Sequence, residues 1–299
     1  MTEFTGTSHS AAMVKSSRSV DHTFRKAMLK IVGYILLILL AFAFLLPFIW
    51  LLSTAFKPQM QVYRIPPVWI PTPITLQNFI DGWNAVPFGT YFMNTVIITV
   101  GATLGTVVSG SLVAYGFARF RSKYSPFLFA LVLATMMLPA QITMIPTYIL
   151  FSKLDWINTF KPLIVPAFFG GGAFNIFLLR QFFQSLPFEL DEAAKLDGCS
   201  SFGIFYKIIL PLAKPVLITV TIFSVVAHWN DFMNQLLYLN DDAKYTISVG
   251  LQFFQTQYGA TQLHLMMAVA LLTIVPIIIL FFAAQRYFVQ GISMTGLKG

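Results

Sequence analysis

Two groups of side chains in this sequence have the types and spacing to do chemistry. The first is acidic: Glu189, Asp191, Glu192 and Asp197 are four of the chain's 11 carboxylate residues. They surround the run Glu192-Ala193-Ala194, which is followed by Gly198 and then by Ile208-Ile209-Leu210-Pro211. Carboxylates in an opening turn favour the helix dipole, and Pro187 suits a first helical position. Gly198 suits the left-handed residue that ends a helix, and Ser200 or Ser201 can cap the next one. A helix of about ten residues is too short to stand alone in water, so it needs a groove. Ala193 and Ala194 permit close backbone approach, Leu196 adds an apolar contact, and Glu192 can form a charge-assisted pair with a basic partner. From spacing alone, a solvated loop helix fits equally well.

The second group is rich in amides: His228, Trp229, Asn230, Asp231, Asn234 and Gln235, with Asn175 and Gln141 on other segments. On one continuous helix, His228, Asp231 and Gln235 share a face. Ionisable groups deep in an apolar segment face a cavity or one another. Amides and a carboxylate suit hydroxyl groups, and the Trp229 indole suits the face of a sugar ring. The competing reading is that the segment ends early and these groups are wet.

Both groups lie among apolar runs that must position them. Hydrophobic residues make up 57% of the 299 and charged residues 10%, against about 25% charged in soluble domains. Six runs are long enough to cross a bilayer as helices: about 31–55, 91–117, 126–151, 162–183, 212–237 and 263–286. Nothing alternates at period two, which excludes a membrane barrel. Residues 1–30 read as a flexible basic tail, 187–211 as the loop carrying the acidic helix, and 287–299 as a closing tail. The first run is too long for a signal-peptide core and no cleavage site follows it.

All 19 Lys and Arg lie outside the span centres. Lys15, Arg18, Arg25, Lys26, Lys30, Arg119, Arg121, Lys123, Arg180, Lys195, Lys207, Lys214, Arg286 and Lys298 share one side. Only Lys57, Arg64, Lys153, Lys161 and Lys244 fall on the other. The positive-inside rule therefore places both termini and the acidic loop in the cytosol. Topology accounts for the net charge of +8, so no nucleic-acid partner is expected. Gly101, Gly105 and Ser109 give small-xxx-small spacing for close approach of another helix, an internal one being favoured. Pro47, Pro139, Pro146, Pro166, Pro276 and Gly170-Gly171-Gly172 interrupt spans, which is tolerated where backbone packs on protein or lines a cavity.

Several classes fall away. There is no phosphate-binding G-x-x-x-x-G-K-[ST] loop and no H-E-x-x-H, nor a G-x-S-x-G, and no paired aspartates lie within spans. An enzyme is not expected, and no metal site is read. The lone Cys199 excludes an internal disulfide. An ion-coupled secondary transporter needs buried carboxylates near the midplane. Only Asp231 qualifies, and the acidic helix would be unexplained.

The pattern EAA-x3-G-x9-I-x-LP, formed by Glu192, Ala193, Ala194, Gly198, Ile208, Leu210 and Pro211, resembles the coupling motif of binding-protein-dependent ABC importer permeases. Pro73-Ile74-Thr75-Leu76-Gln77-Asn78-Phe79, Trp229-Asn230-Asp231-Phe232 and Gln285-Arg286-Tyr287-Phe288-Val289-Gln290-Gly291, closing on Leu297-Lys298-Gly299, resemble the carbohydrate-uptake, MalG-like branch. The likeness runs from about residue 30 to the end. Tyr258-Gly259-Ala260-Thr261-Gln262-Leu263-His264 departs from it, lacking a Trp often found there. The resemblance implies an all-α, six-span type I importer fold in a prokaryotic cytoplasmic membrane. It also implies a second, related permease, two copies of a cytosolic ATPase that hold ATP and Mg2+, and an extracytoplasmic solute-binding protein. No cofactor is expected on this chain. Asp191, Leu196 and Asp197 join the motif residues as expected ATPase-coupling positions. His228, Trp229, Asn230, Asp231, Asn234 and Asn175 are the expected solute pathway. A di- or oligosaccharide or polyol is the expected solute, with glycerol-3-phosphate or another non-sugar solute left open. So are the pairing of like or unlike permeases and which permease holds the main sugar site.

Overall fold

An apolar segment in a bilayer must satisfy its backbone hydrogen bonds internally, which favours helices for all six runs. The computed structural model describes residues 8–256 and 262–293, with side chains described for 28–255 and 262–285. Expectations for residues 1–7, 257–261 and 294–299 lie outside the described residues. The described residues are mostly helical, with no strand among them. Four helices are long and apolar enough to cross outright: Met28–Ala55, Phe88–Arg119, Lys161–Ser185 and Leu263–Gln285. Two bent pairs are long and apolar enough when each is taken together, Ser125–Met137 with Ala140–Lys153 at 100° and Ser201–Leu212 with Lys214–Trp229 at 80°, which brings the total to six if each counts as one span.

The helix of the first span begins at Ser8, so it extends back through most of the expected flexible tail, in line with the low cost of lengthening a helix once nucleated. The third span is not one straight helix over 126–151. It turns at Leu138 and Pro139, where the proline has no N–H to continue the ladder and adopts an extended ψ of 133°. The fifth span is not continuous over 212–237 either: its helix ends at Trp229, and Met233–Tyr238 forms a separate short helix. Pro47, Pro146 and Pro276, by contrast, are carried inside helices.

The second span is the axis of the bundle. Its small residues let the fourth span approach closely, so the partner of the small-xxx-small face is internal. A Cβ on Gly101 would meet Ile164 at 3.1 Å, and one on Gly105 would meet Phe168 at 2.6 Å. Ser109 Oγ donates to the Ala167 carbonyl at 2.9 Å and accepts from the Gly170 N–H at 3.0 Å. At one end of this axis Tyr115 and Phe183 pack with Ile204, Phe205 and Ile209. At the other, Phe88 and Tyr91 pack with Trp229, Ile247 and Phe254. The first span lies outside both clusters, apolar all round and exposed over most of its length, as befits a helix facing lipid or another chain.

The long connection after the first span is tied down rather than loose. Asn78 Nδ2 donates to the carbonyls of Ala55 and Lys57, both at 2.8 Å. Lys57 is fully buried with its ammonium 3.8 Å from the centroid of the Trp50 ring. Burial pushes the Lys57 pKa below the ordinary lysine value, because desolvation disfavours the charged form.

Candidate functional site

The acidic helix spans Glu189–Leu196. Pro187 is not its first residue. The preceding helix closes at Ser185, and Leu186 is extended with ψ 137°, the conformation favoured before a proline. Its C-terminal end is a Schellman motif: Cys199 N–H donates to the Ala194 carbonyl at 2.9 Å and Gly198 N–H to Lys195 at 3.0 Å. Gly198 supplies the left-handed φ of +80° that this requires. Ser200 then caps the next turn, its Oγ accepting from the Gly203 N–H at 3.1 Å.

Helical periodicity divides the motif between two jobs. Glu189, Glu192, Ala193 and Leu196 face outward, Leu196 at 89% exposure, while Asp191 and Ala194 are buried. Asp191 and Ala194 therefore do not offer themselves to another chain in this conformation. Asp191 instead pairs with Arg119 at the end of the second span, Nη1 to Oδ2 at 3.5 Å, with side chains 2% and 5% exposed. The Phe188 ring covers the guanidinium 4.6 Å from its centroid. One helical turn earlier on the second span, the Tyr115 hydroxyl donates to the Ser201 carbonyl at 3.0 Å. The span thus grips both arms of the acidic element.

Beyond Ser200 the chain winds as a helical turn over Ser201–Ile204 and a π segment over Phe205–Ile209. Leu210 N–H reaches back to the Phe205 carbonyl, a wider ladder that accommodates the missing donor of Pro211. Ile208 and Leu210 are partly buried against the surrounding core, whereas Ile204 and Ile209 are fully buried. Ile208 and Leu210 brace the element, and Pro211 is exposed beside them, as is Asp197 on the loop. Sequence reasoning missed Arg119 and Tyr115. Arg119 was visible only as one more basic residue at a span end, because its carboxylate partner lies far along the chain.

Three members of the second group border an open cavity of about 330 Å³, lined by Thr106, Thr147, His228, Asp231, Asn234 and Tyr238 together with the fourth span at Pro166, Gly171 and Gly172. Irregular backbone thus lines a cavity, as burial in a membrane requires. Gly171 and Gly172 have φ of +65° and +93°, and a Cβ on Gly171 would lie 2.6 Å from Thr106 Cα. Asn175 stands behind this turn: its Nδ2 donates to the Gly171 carbonyl at 2.7 Å, and its buried Oδ1 has no partner. Asp231 accepts from the Asn234 backbone N–H at 3.2 Å and from its side-chain amide at 3.0 Å.

Four expectations for this group change. The break after Trp229 removes the shared helical face of His228, Asp231 and Gln235, although His228 and Asp231 still meet at the cavity. Gln235 is fully buried, donating to the His228 carbonyl and bonded to the Thr246 hydroxyl. Trp229 is 8% exposed, its indole N–H donating to the Thr273 carbonyl at 3.2 Å and its ring edge-on to Phe92. It packs spans together and offers no face for stacking. Asn230 returns its amide to the Val226 carbonyl at 2.9 Å, closing the helix, and Gln141 is exposed.

A bundle of bent, apolar helices around a polar cavity, with a clamped acidic helix at one end, defines a multi-pass transport subunit. Residues 106–294 match the family described as binding-protein-dependent transport system inner membrane component, and the chain belongs to it. It is therefore an ABC importer permease, a subunit of a system whose ATPase is a separate chain. The arabinooligosaccharides transport system permease protein AraQ of Halalkalibacterium halodurans is 36% identical over 263 residues, covering 87% of this chain and 93% of that one. The melibiose/raffinose/stachyose import permease protein MelC of Bacillus subtilis is 35% identical over 266 residues, covering 87% and 94%. In fold, the chain resembles the crystal structure of a bacterial ABC transporter involved in the import of the acidic polysaccharide alginate. That match has a TM-score of 0.78 at 24% identity and covers 96% of this chain and 100% of that one.

Proposed function

We propose that this permease contributes one half of the translocation pathway of a carbohydrate importer and is driven through its acidic helix. The supporting observation is the two-faced helix Glu189–Leu196. Its outward residues Glu192, Ala193 and Leu196 meet a cytosolic ATPase, while Asp191 and Ala194 hold it to the bundle. Closure of two ATPase copies on ATP and Mg2+ displaces the helix, and the Arg119–Asp191 pair passes that displacement to the second span. Thr106 on the same span borders the cavity, so one rigid rod links the driven end to the solute pathway. A second, related permease supplies the facing half, and a soluble binding protein delivers the solute. Both termini and the acidic helix lie in the cytosol. His228, Asp231 and Asn234 offer hydroxyl-binding groups to the passing sugar, and Asn175 steadies the glycine turn behind them. No cofactor resides on this chain.

Glu192→Lys tests the docking. In proteoliposomes holding both permeases, the ATPase and the binding protein, stimulation of ATP hydrolysis by loaded binding protein should fall at least about tenfold. A charge reversed at an interface ion pair removes more than the roughly 1.4 kcal/mol which that factor represents. Unchanged stimulation and unchanged sugar uptake would remove the helix from its coupling role.

A further inference from the structure

The charge of the cavity carries information about its solute. Its lining contains one carboxylate, Asp231, and no Lys or Arg. The hydrogen-bond donors that Asp231 meets are the backbone and side-chain amide of Asn234, so it forms an uncompensated negative centre hydrogen-bonded only by neutral groups. Among the described residues the ion pairs are Arg119–Asp191 and Lys244–Asp241, and neither borders the cavity. The remaining polar lining, Thr106, Thr147, His228, Asn234 and Tyr238, consists of hydroxyl, amide and imidazole groups. These match hydroxyls well and offer an anion no permanent positive partner.

We infer that Asp231 makes this permease selective for uncharged saccharides and excludes uronates, phosphorylated and sulfonated sugars at the translocation step. The inference rests on the cavity being the solute pathway. A carboxylate or phosphate brought to about 6 Å from Asp231 is opposed, at an effective dielectric near 20, by repulsion equivalent to roughly a hundredfold in affinity. A neutral sugar of the same shape is unopposed and gains a strong acceptor for a hydroxyl, since bonds to an ionised partner are about twice as strong as neutral ones. Selectivity of this kind acts by repelling the wrong solute, independently of what the binding protein accepts.

The test places a reporter in the cavity. Thr147→Cys in a Cys199→Ser background gives the assembled importer one cysteine on this chain, lining the cavity from the third span. The rate of maleimide labelling is then read with galactotriose or trigalacturonate, a pair matched in ring number that differs in charge. Galactotriose should slow labelling at concentrations at least about tenfold below any effect of trigalacturonate. In Asp231→Asn, an isosteric change, the two saccharides should protect within about twofold of each other. Equal protection in the parent, or a preference that survives Asp231→Asn, would overturn the role of Asp231 and leave the pathway assignment standing. Protection by neither saccharide would overturn both.

Discussion

At the end of the bundle that carries the acidic helix, buried polar side chains reach across to another element: Arg119 pairs with Asp191, and the Tyr115 hydroxyl donates to the Ser201 carbonyl. Around the cavity the contacts are local, Asp231 bonding to Asn234 three residues on and Asn175 to Gly171, and the buried Asn175 Oδ1 has no partner. The backbone differs in the same sense. The acidic helix is closed by a regular glycine motif in open space, whereas the turn at the cavity holds three consecutive glycines at positive φ, one of them pressed on the second span. An element that transmits displacement needs rigidity, since a slack joint would absorb the motion. A pathway needs spare hydrogen-bonding capacity and backbone that can rearrange. The second span joins the two, which makes it the place to break the comparison.

The largest effect should come from Arg119→Met. It strands Asp191 in a buried site without its counter-charge, a change that costs about 3–5 kcal/mol. Thermal unfolding of the purified importer should fall sharply and stimulated ATP hydrolysis should be lost. Adding Asp191→Leu should recover most of the unfolding temperature without restoring normal coupling. A single variant as stable and as well coupled as the parent would mean the pair is not the clamp.

Next is Gly171→Ala, which forces a side chain into a left-handed conformation and onto the Thr106 backbone at once. Strain and overpacking together should cost about 3 kcal/mol, read as a lowered unfolding temperature and lost sugar uptake. Gly198→Ala meets nothing within 4 Å, so only the backbone term of about 1–2 kcal/mol should appear, and Gly198→Asn should cost less. If the two alanine variants were equally stable, the contrast between a crowded cavity wall and an open cap would be wrong.

The sequence makes the local features legible and the rotational ones obscure. Gly198, Ser200 and the acids of the opening turn announce themselves because a cap is decided within a few residues. The bend at Pro139 is signalled by the missing N–H. The end of the fifth helix is not, since Asn230 and Asp231 carry neither proline nor glycine and the break depends on side chains folding back onto nearby backbone. Nor could the period of the acidic helix alone decide which stripe faces inward: Asp191 turns in because Arg119 waits there, brought by a different span. The polar residues at the cavity are legible as a collection, yet its shape comes from the fourth span's glycine turn, whose contact with Thr106 no spacing rule encodes.

The smallest effect separates the residues that line the cavity from those that only neighbour it. Trp229 sits between His228 and Asn230 in sequence, but its indole is directed at Thr273 and Phe92. Trp229→Phe keeps a ring in the packing and removes one N–H···O=C bond, worth about 1 kcal/mol. Stability should fall slightly while the KM and maximal rate of sugar uptake stay within about twofold. Asn234→Ala is the counterpart: it also removes modest hydrogen bonds, but from a group that lines the cavity, so its KM should rise even where stability barely moves. A Trp229→Phe variant with the larger change in KM would put the indole in the solute's path, and the division between packing and lining residues at the end of the fifth span would have to be redrawn.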